Sequence, residues 1–407
     1  MKLLMDAGPW LAVPPVGYGG VENVVATLTT ELRRRGHQVV LASVGSSRQP
    51  ADGLVAAFPD GQFARLAGPY PDVVGIAHAH EQAVVDAIRR HAAAGAPFDL
   101  VHSHLQVVGP AVLAALSGAP PVLHTLHWDL QRNAEFYDSF DGRGRVFFAG
   151  VSASQLARGP AGLRDQALGV VPLSVPIPDL PPLPRADRDD VVLVLSRLCE
   201  AKGIDTAVRA CRAAGLRLVL AGPVGGQPDR ASLQAALADP GSPASTHTDV
   251  RWYLEHVDPY IDGDRVQWIG TASGERKADL LRRARAVLFP IRWPEPGGTA
   301  VCEALAAGTP VVGMAQGCLP SLIDQGVTGF LAQDEAEFTA ALHRIDDLDP
   351  QACAETARRR FSPARMGADY ERLYAEVVRR AVRPALREGL TRATVPVPRN
   401  PHGRAGH

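Results

Sequence analysis

The residues best placed to do chemistry fall in two short runs, Arg197 and Lys202 in LSRLCEAKG, and Glu295 to Glu303 in PIRWPEPGGTAVCEALAAGTPVV. Arg197 and Lys202 lie between a predicted strand end and a predicted helix, where two cations can converge on one polyanion while helix N–H groups add donors. Two solvated surface cations are the alternative. In the second run Glu295 occupies a loop after a strand, Gly297 and Gly298 let backbone approach a ligand, and Thr299 opens a helix that Gly308 stops. Glu303, one turn inside, offers two acceptor oxygens suited to a vicinal diol such as ribose. The weaker alternative is an acid favoured near a helix start. Glu295 and Glu303 could also form the acid and base of a glycosidase, although glycines and cations at their side suit a diphosphate better.

A third cluster, Gly17, Gly19 and Gly20 in PPVGYGGVENVV, precedes another helix and reads as an anion cradle or a tight turn. Histidines gather in the same half as AHAHE, LVHSH and HTLHWD. His102 and His104 would share one strand face, so a metal site is conceivable. Without thiolates or a His-Glu-x-x-His helix, a polar crevice edge fits better. His127 follows an apolar strand and precedes Trp128-Asp129, where it could contact a sugar hydroxyl or transfer a proton.

The elements that would carry these residues alternate. Leu3 to Ala7 is an apolar strand, Val21, Val24, Val25, Leu28 and Leu32 recur at helical spacing up to Gly36, and Gln38 to Ser43 is a second strand. This βαβ unit implies a parallel sheet with its crevice at the carboxyl ends of the strands. Further strands are read at 100–104, 122–126 and 146–151, with helices at 81–94 and 111–116. The proline-rich VPLSVPIPDLPPLP then breaks the pattern. A second series follows, with strands at 191–195, 216–221, 266–269 and 286–290 and helices at 203–214 and 275–284. The expected division is a Rossmann-like domain over 1–170, a linker over 171–189, a second Rossmann-like domain over 190–362, a helix over 363–385 and a disordered tail over 386–407.

Composition narrows the function classes. The 407 residues are 46% hydrophobic and 21% charged, enough to bury two cores. Lys plus Arg number 42 against 43 acids, so no net field favours nucleic acid or an anionic membrane. Five scattered cysteines without a Cys-x-x-Cys pair argue against a disulfide framework or zinc knuckle and fit a reducing cytoplasm. The uncharged stretch from Leu105 to Trp128 is broken by Gly109-Pro110, Gly118 and Pro120-Pro121, so it reads as helix, turn and strand, not a membrane span.

Taken together, YGGVENVVATLTTELRRRGHQVVLAS, DLVHSH, LSRLCEAKGIDTAV and EPGGTAVCEALAAGTPVV with GCLPSLIDQGVTGFL resemble glycosyltransferase family 4. The similarity runs from the first strand to about Leu331 and includes Glu-x7-Glu from Glu295 to Glu303. It implies an α/β fold of GT-B type: two doubly wound Rossmann-like domains facing across a cleft, with a C-terminal helix crossing back to the first. It also implies a retaining transferase using a nucleoside-diphosphate sugar, with UDP the expected nucleotide.

On that resemblance Arg197 and Lys202 hold the diphosphate, Glu303 the ribose, and Glu295 with Gly297, Gly298 and Thr299 the donor sugar and phosphate. Gly19 and Gly20 close from the first domain, the loop at Gly270 and Thr271 flanks the base, and His127 lies near the transferred sugar. Positive groups can stabilise the leaving diphosphate, so no metal or other cofactor is expected. Two departures stand out: Glu295-Pro296-Gly297-Gly298 where many relatives read Glu-Pro-Phe-Gly, and Val171-Pro172-Leu173-Ser174 before the linker where Asn-Gly-Ile-Asp is usual. The acceptor is expected to be a small soluble, natural-product or cell-envelope molecule, and the protein a cytoplasmic monomer or homodimer.

Two rivals meet specific objections. A nicotinamide-dependent dehydrogenase needs its Gly-x-Gly-x-x-Gly directly after the first strand, whereas Gly17 lies well past Ala7 and no acid ends the strand at Ser43. A two-domain sugar receptor would not need two phosphate cradles and would carry an export signal, which MKLLMDAGPW does not resemble.

Overall fold

The computed structural model describes residues 1–17 and 19–392, and Tyr18 of the glycine-rich loop lies outside the described residues. The first sheet contains β1 (Lys2–Asp6), β2 (Gln38–Ser43), β3 (Gly53–Ala56), β4 (Leu100–Ser103), β5 (Val122–Leu126), β6 (Val146–Gly150) and β7 (Ala167–Val170). The second contains β8 (Val191–Leu195), β9 (Arg217–Ala221), β10 (Val266–Trp268), β11 (Ala286–Phe289), β12 (Val311–Met314) and β13 (Gly329–Ala332). Every pairing is parallel, in the orders β3-β2-β1-β4-β5-β6-β7 and β10-β9-β8-β11-β12-β13. Central strands such as β4 and β11 are buried throughout, as expected when helices cover both faces of a parallel sheet.

The strand orders fix where ligands can enter. Each sheet reverses direction once, between β1 and β4 in the first and between β8 and β11 in the second. Crossover connections leave on opposite faces at such a point, so a crevice opens beyond the carboxyl ends of those strands. Asp6, Ser103 and His104 stand at the first reversal. Arg197 and the loop carrying Glu295 stand at the second.

The C-terminal helix Pro363–Arg392 crosses back to the first lobe, where Met366, Tyr370, Tyr374 and Val377 are buried with Leu3, Val25, Leu28 and Leu123. Glu371 pins it from outside, accepting from Arg35 at 2.8 Å and pairing with His37 at 2.9 Å. The connecting segment is strapped to the start of this helix, since Arg365 donates to the Pro172 carbonyl at 2.6 Å, and to the turn before it, since the Val175 N–H donates to the Phe361 carbonyl at 3.0 Å.

Several boundaries differ from the sequence reading. The first-lobe helix starts at Tyr70, not near Glu81, because Pro71 suits a first helical turn and Asp72 favours the helix start. The strands β3, β7, β12 and β13 are additional to those read in the sequence. The crossing helix continues past 385 to Arg392. Residues 393–407 of the expected tail lie outside the described residues. All five cysteines are free and buried.

Candidate active site

At the second reversal two loops converge. After β8 the chain runs through Ser196-Arg197 into a tight turn, Glu200–Lys202, and then the helix Ile204–Ala214. Gly203 makes this possible: its φ is 65°, and a Cβ there would lie 1.8 Å from the Pro290 carbonyl at the end of β11. The Arg292 N–H donates to the Ala201 carbonyl at 2.9 Å, so the lysine turn and the glutamate loop are tied by backbone.

That tie brings Lys202 and Glu295 together. Lys202 Nζ donates to Glu295 Oε2 at 2.5 Å and lies 5.2 Å from the centre of the Trp293 ring. Both side chains stay partly open, 17% and 20% exposed, so their attraction is neither fully screened nor trapped in an apolar core. The Glu295 carbonyl in turn accepts from the Cys318 N–H at 2.8 Å, fixing the loop from behind.

Beyond Glu295 the chain turns through Gly297 and Gly298 into the helix Thr299–Ala306. The Gly298 carbonyl takes up the N–H groups of Val301 and Cys302, and no backbone hydrogen bond is made by the N–H groups of Gly297, Gly298, Thr299 or Ala300 among the described residues. These orphan donors and the positive end of the helix form an anion-receptive edge. Gly297 also brings the lobes together, since a Cβ there would lie 2.5 Å from Leu173 Cδ1 and 3.4 Å from Val151 Cγ2. A larger residue at 297 would displace those first-lobe and connecting side chains.

Arg197 and Lys202 each face a separate carboxylate. Arg197 reaches Asp249 on the helix Thr248–His256 at 3.5 Å and is 54% exposed, which leaves its guanidinium free to move. Glu303 accepts from Lys277 on the helix Gly274–Arg283 at 2.6 Å. Glu295 and Glu303 thus belong to different lysines and do not pair with each other. Lys277 and Asp249 carry no signal in the sequence, because only helix packing brings them to Glu303 and Arg197, 26 and 52 positions away. The Thr271 N–H and hydroxyl both donate to the Pro228 carbonyl, at 2.7 and 3.2 Å, and Gly270 accepts from the Gly222 N–H at 2.9 Å. That loop is fixed by its own bonds, and the Thr271 donors are already committed.

The first reversal holds a cluster of neutral histidines beside the ionised Asp6. His127 Nε2 and His104 Nδ1 are 2.8 Å apart. His102 lies between the Tyr374 hydroxyl at 2.8 Å and Thr125 Oγ1 at 2.7 Å, so its nitrogens are committed away from any shared metal. Burial, with help from His124, pushes the His127 imidazole down to about 3, and burial alone takes His124 down to about 4. His102 and His104 are held well below the ordinary histidine value for the same first reason. Nearby, Asp6 bonds His80 at 2.8 Å and accepts from Ser103 at 2.8 Å, bonds that outweigh its burial and lower its pKa. Burial and the Asp6 charge raise Glu81 well above the carboxylate range. Gly19 and Gly20 open the helix Gly20–Arg34 with no side-chain cap, and a Cβ at Gly20 would meet nothing within 4 Å. Among the described residues no group of three or more His, Cys, Asp or Glu is arranged to hold a metal ion, and no helix is long and apolar enough to cross a membrane.

Both halves of the chain are similar to known proteins. Residues 18–160 match the model of Glycosyltransferase Family 4, and residues 179–360 match that of Glycosyl transferases group 1. The D-inositol 3-phosphate glycosyltransferase of Mycolicibacterium smegmatis is 26% identical, over 93% of this chain and 92% of its own length. The crystal structure of AviGT4, a glycosyltransferase involved in avilamycin A biosynthesis, superposes with a TM-score of 0.60 at 25% identity, covering 93% of this chain and 98% of that one. Anabaena HepE, solved in complex with UDP and glucose, superposes with a TM-score of 0.55 at 17% identity, over 92% of this chain and 100% of that one. With both lobes matched and the two-sheet fold shared, the chain belongs to glycosyltransferase family 4 and is a glycosyltransferase of GT-B architecture.

Proposed function

We propose that this enzyme moves a sugar from a nucleoside-diphosphate sugar, with UDP the expected nucleotide, to a small acceptor with retention of anomeric configuration and without a divalent metal. The observation that carries the reading is Lys202 beside Glu295, next to the unpaired N–H groups of Gly297 to Ala300 at the second strand reversal. Lys202 and Arg197 hold the diphosphate, Glu303 receives the ribose, and Glu295 with the Gly297–Thr299 backbone meets the donor sugar. Gly19 and Gly20 face them from the first lobe, with His127 beside the transferred sugar. As the anomeric C–O bond breaks, negative charge grows on the leaving diphosphate, and cations and N–H groups fixed beforehand stabilise it at little reorganisation cost. UDP is favoured by the nucleotide bound in the Anabaena structure. A small acceptor is favoured by the relative named for D-inositol 3-phosphate.

The test needs no acceptor. Incubating the protein with UDP-, GDP-, ADP- and dTDP-sugars in EDTA, with mass spectrometry of the products, should show slow release of one nucleoside diphosphate and a free sugar whose first-formed anomer matches the donor. No turnover of any donor would overturn the assignment. Loss of turnover in EDTA that a divalent ion restores would overturn its metal-free part, and the opposite anomer its retaining part.

A further inference from the structure

The histidine pair at the first reversal has a direction that the sequence leaves open. His104 and His127 have ring centres 5.1 Å apart and planes within 29°, with His104 Nδ1 and His127 Nε2 separated by 2.8 Å. The nitrogens therefore lie close to the line joining the rings, which meet edge to edge with lone pair and N–H roughly in plane, as a hydrogen bond requires. Two neutral imidazoles can make this bond in only two ways, and each fixes both tautomers.

The far side of His104 decides between them. His104 is 4% exposed, and its Nε2 is enclosed without any hydrogen-bond partner. If His127 donated, His104 would carry its proton on Nε2, leaving an N–H buried and unpaired. If His104 donates, only a bare lone pair is enclosed. Buried orphan N–H groups are the rarer case in folded proteins, because an unpaired donor forfeits its full solvation. His127 then keeps its proton on Nδ1, a nitrogen that is not enclosed and makes no hydrogen bond among the described residues.

We propose that His104 is a positioning residue that donates from Nδ1 to His127 Nε2, locking His127 as a neutral hydrogen-bond donor whose Nδ1–H faces an oxygen of the transferred sugar. Of the two roles open to His127, sugar contact and proton transfer, this selects the first. A ring whose basic nitrogen is occupied by His104 has no lone pair to offer a substrate proton. Low basicity in both rings agrees, since His127 titrates only near 3 and His104 is also held well below the ordinary value, so neither charges in the neutral range. Behind the pair, the His102 ring lies 4.3 Å from that of His104 and is bonded to Tyr374 of the crossing helix, which anchors the arrangement to the C-terminal segment. The sugar contact rests on the proposed transferase reading, whereas the tautomer does not.

The experiment pairs a spectrum with kinetics. In ¹⁵N-histidine-labelled wild type near neutral pH, two-bond ¹⁵N–¹H correlations should show His127 protonated on Nδ1 and bare on Nε2. A proton on His127 Nε2 would overturn the proposal. His104→Leu should lower donor turnover about tenfold, the scale of one directed neutral hydrogen bond, with a smaller change in KM. His104→Asn, whose amide nitrogen can stand where Nδ1 stands, should restore most of it. Unchanged turnover in His104→Leu, or no recovery in a folded His104→Asn, would also overturn the proposal. If wild type consumes no nucleotide sugar, the transferase reading fails while the spectrum still decides the tautomer.

Discussion

At the reversal of the first sheet, buried groups surround the ionised Asp6 and are otherwise uncharged: His102, His104, His124 and His127 all have depressed pKa values, and Glu81 a raised one. At the reversal of the second, Lys202–Glu295 and Lys277–Glu303 are ion pairs whose members are each between 17% and 31% exposed. The contrast separates two ways of preparing a site. A buried neutral network is costly to rearrange, since any broken bond leaves an unsatisfied group, so it suits holding one orientation. A partly exposed pair gives up less than a fully buried one when its partner changes, so it suits exchange of a carboxylate for the proposed diphosphate against the same lysine. One lobe orients and the other exchanges.

The contrast is broken most severely through the second lobe. On the proposed reaction, Lys202→Ala removes a fixed donor from the growing diphosphate charge and should lower donor turnover roughly a hundredfold or more, the cost of losing one preorganised donor. Arg197→Ala should cost less, about tenfold, because the guanidinium is more than half exposed and its attraction is screened by solvent. Steady-state donor hydrolysis measures both. Equal losses would show Arg197 drawn as deeply into the site as Lys202.

The first lobe should reveal itself in stability. The imidazoles of His102, His104, His124 and His127 titrate lower in the folded chain than the ordinary 6.5, so below that pH the unfolded state binds more protons. Their stabilising contribution is complete above about 6.5 and falls as the pH drops toward their folded values. Glu81 acts oppositely: its contribution is complete below 4.5 and is lost as the pH rises toward its raised folded value. With His91 also lowered and Glu22 also raised, the lowered histidines of this lobe outnumber its raised carboxyls, which predicts a melting temperature that declines between pH 6.5 and 4.5, measured by scanning calorimetry. His124→Asn, which removes one depressed imidazole, should make the decline shallower. A flat profile would mean that the cluster takes up protons without unfolding.

Much of this architecture can be read from the chain. Alternating apolar runs reveal the βαβ order, the turn chemistry around Gly203 and Gly297-Gly298 marks the strand-to-helix junctions, and Glu-x7-Glu locates the loop and helix of the second site. Partnerships are a different matter. Arg197 and Lys202 look like one clamp in sequence, but the Glu200–Lys202 turn sends them to separate carboxylates. Lys277 looks like a surface residue of an amphipathic helix until packing places it on Glu303. The His104–His127 bond depends on two strand ends lying side by side in the sheet, a property of strand order. Local pattern specifies elements, whereas the electrostatics of a site follow from which elements become neighbours.

The central claim is that a diphosphate is gripped at the β8–β11 reversal with Lys202 as a principal contact. Titrating UDP into wild type and Lys202→Ala by calorimetry at one fixed ionic strength tests it most directly. The account predicts measurable binding that weakens about tenfold or more in the variant, the scale of one charge-assisted bond. Equal affinity in the two proteins, or none in the wild type, would contradict it.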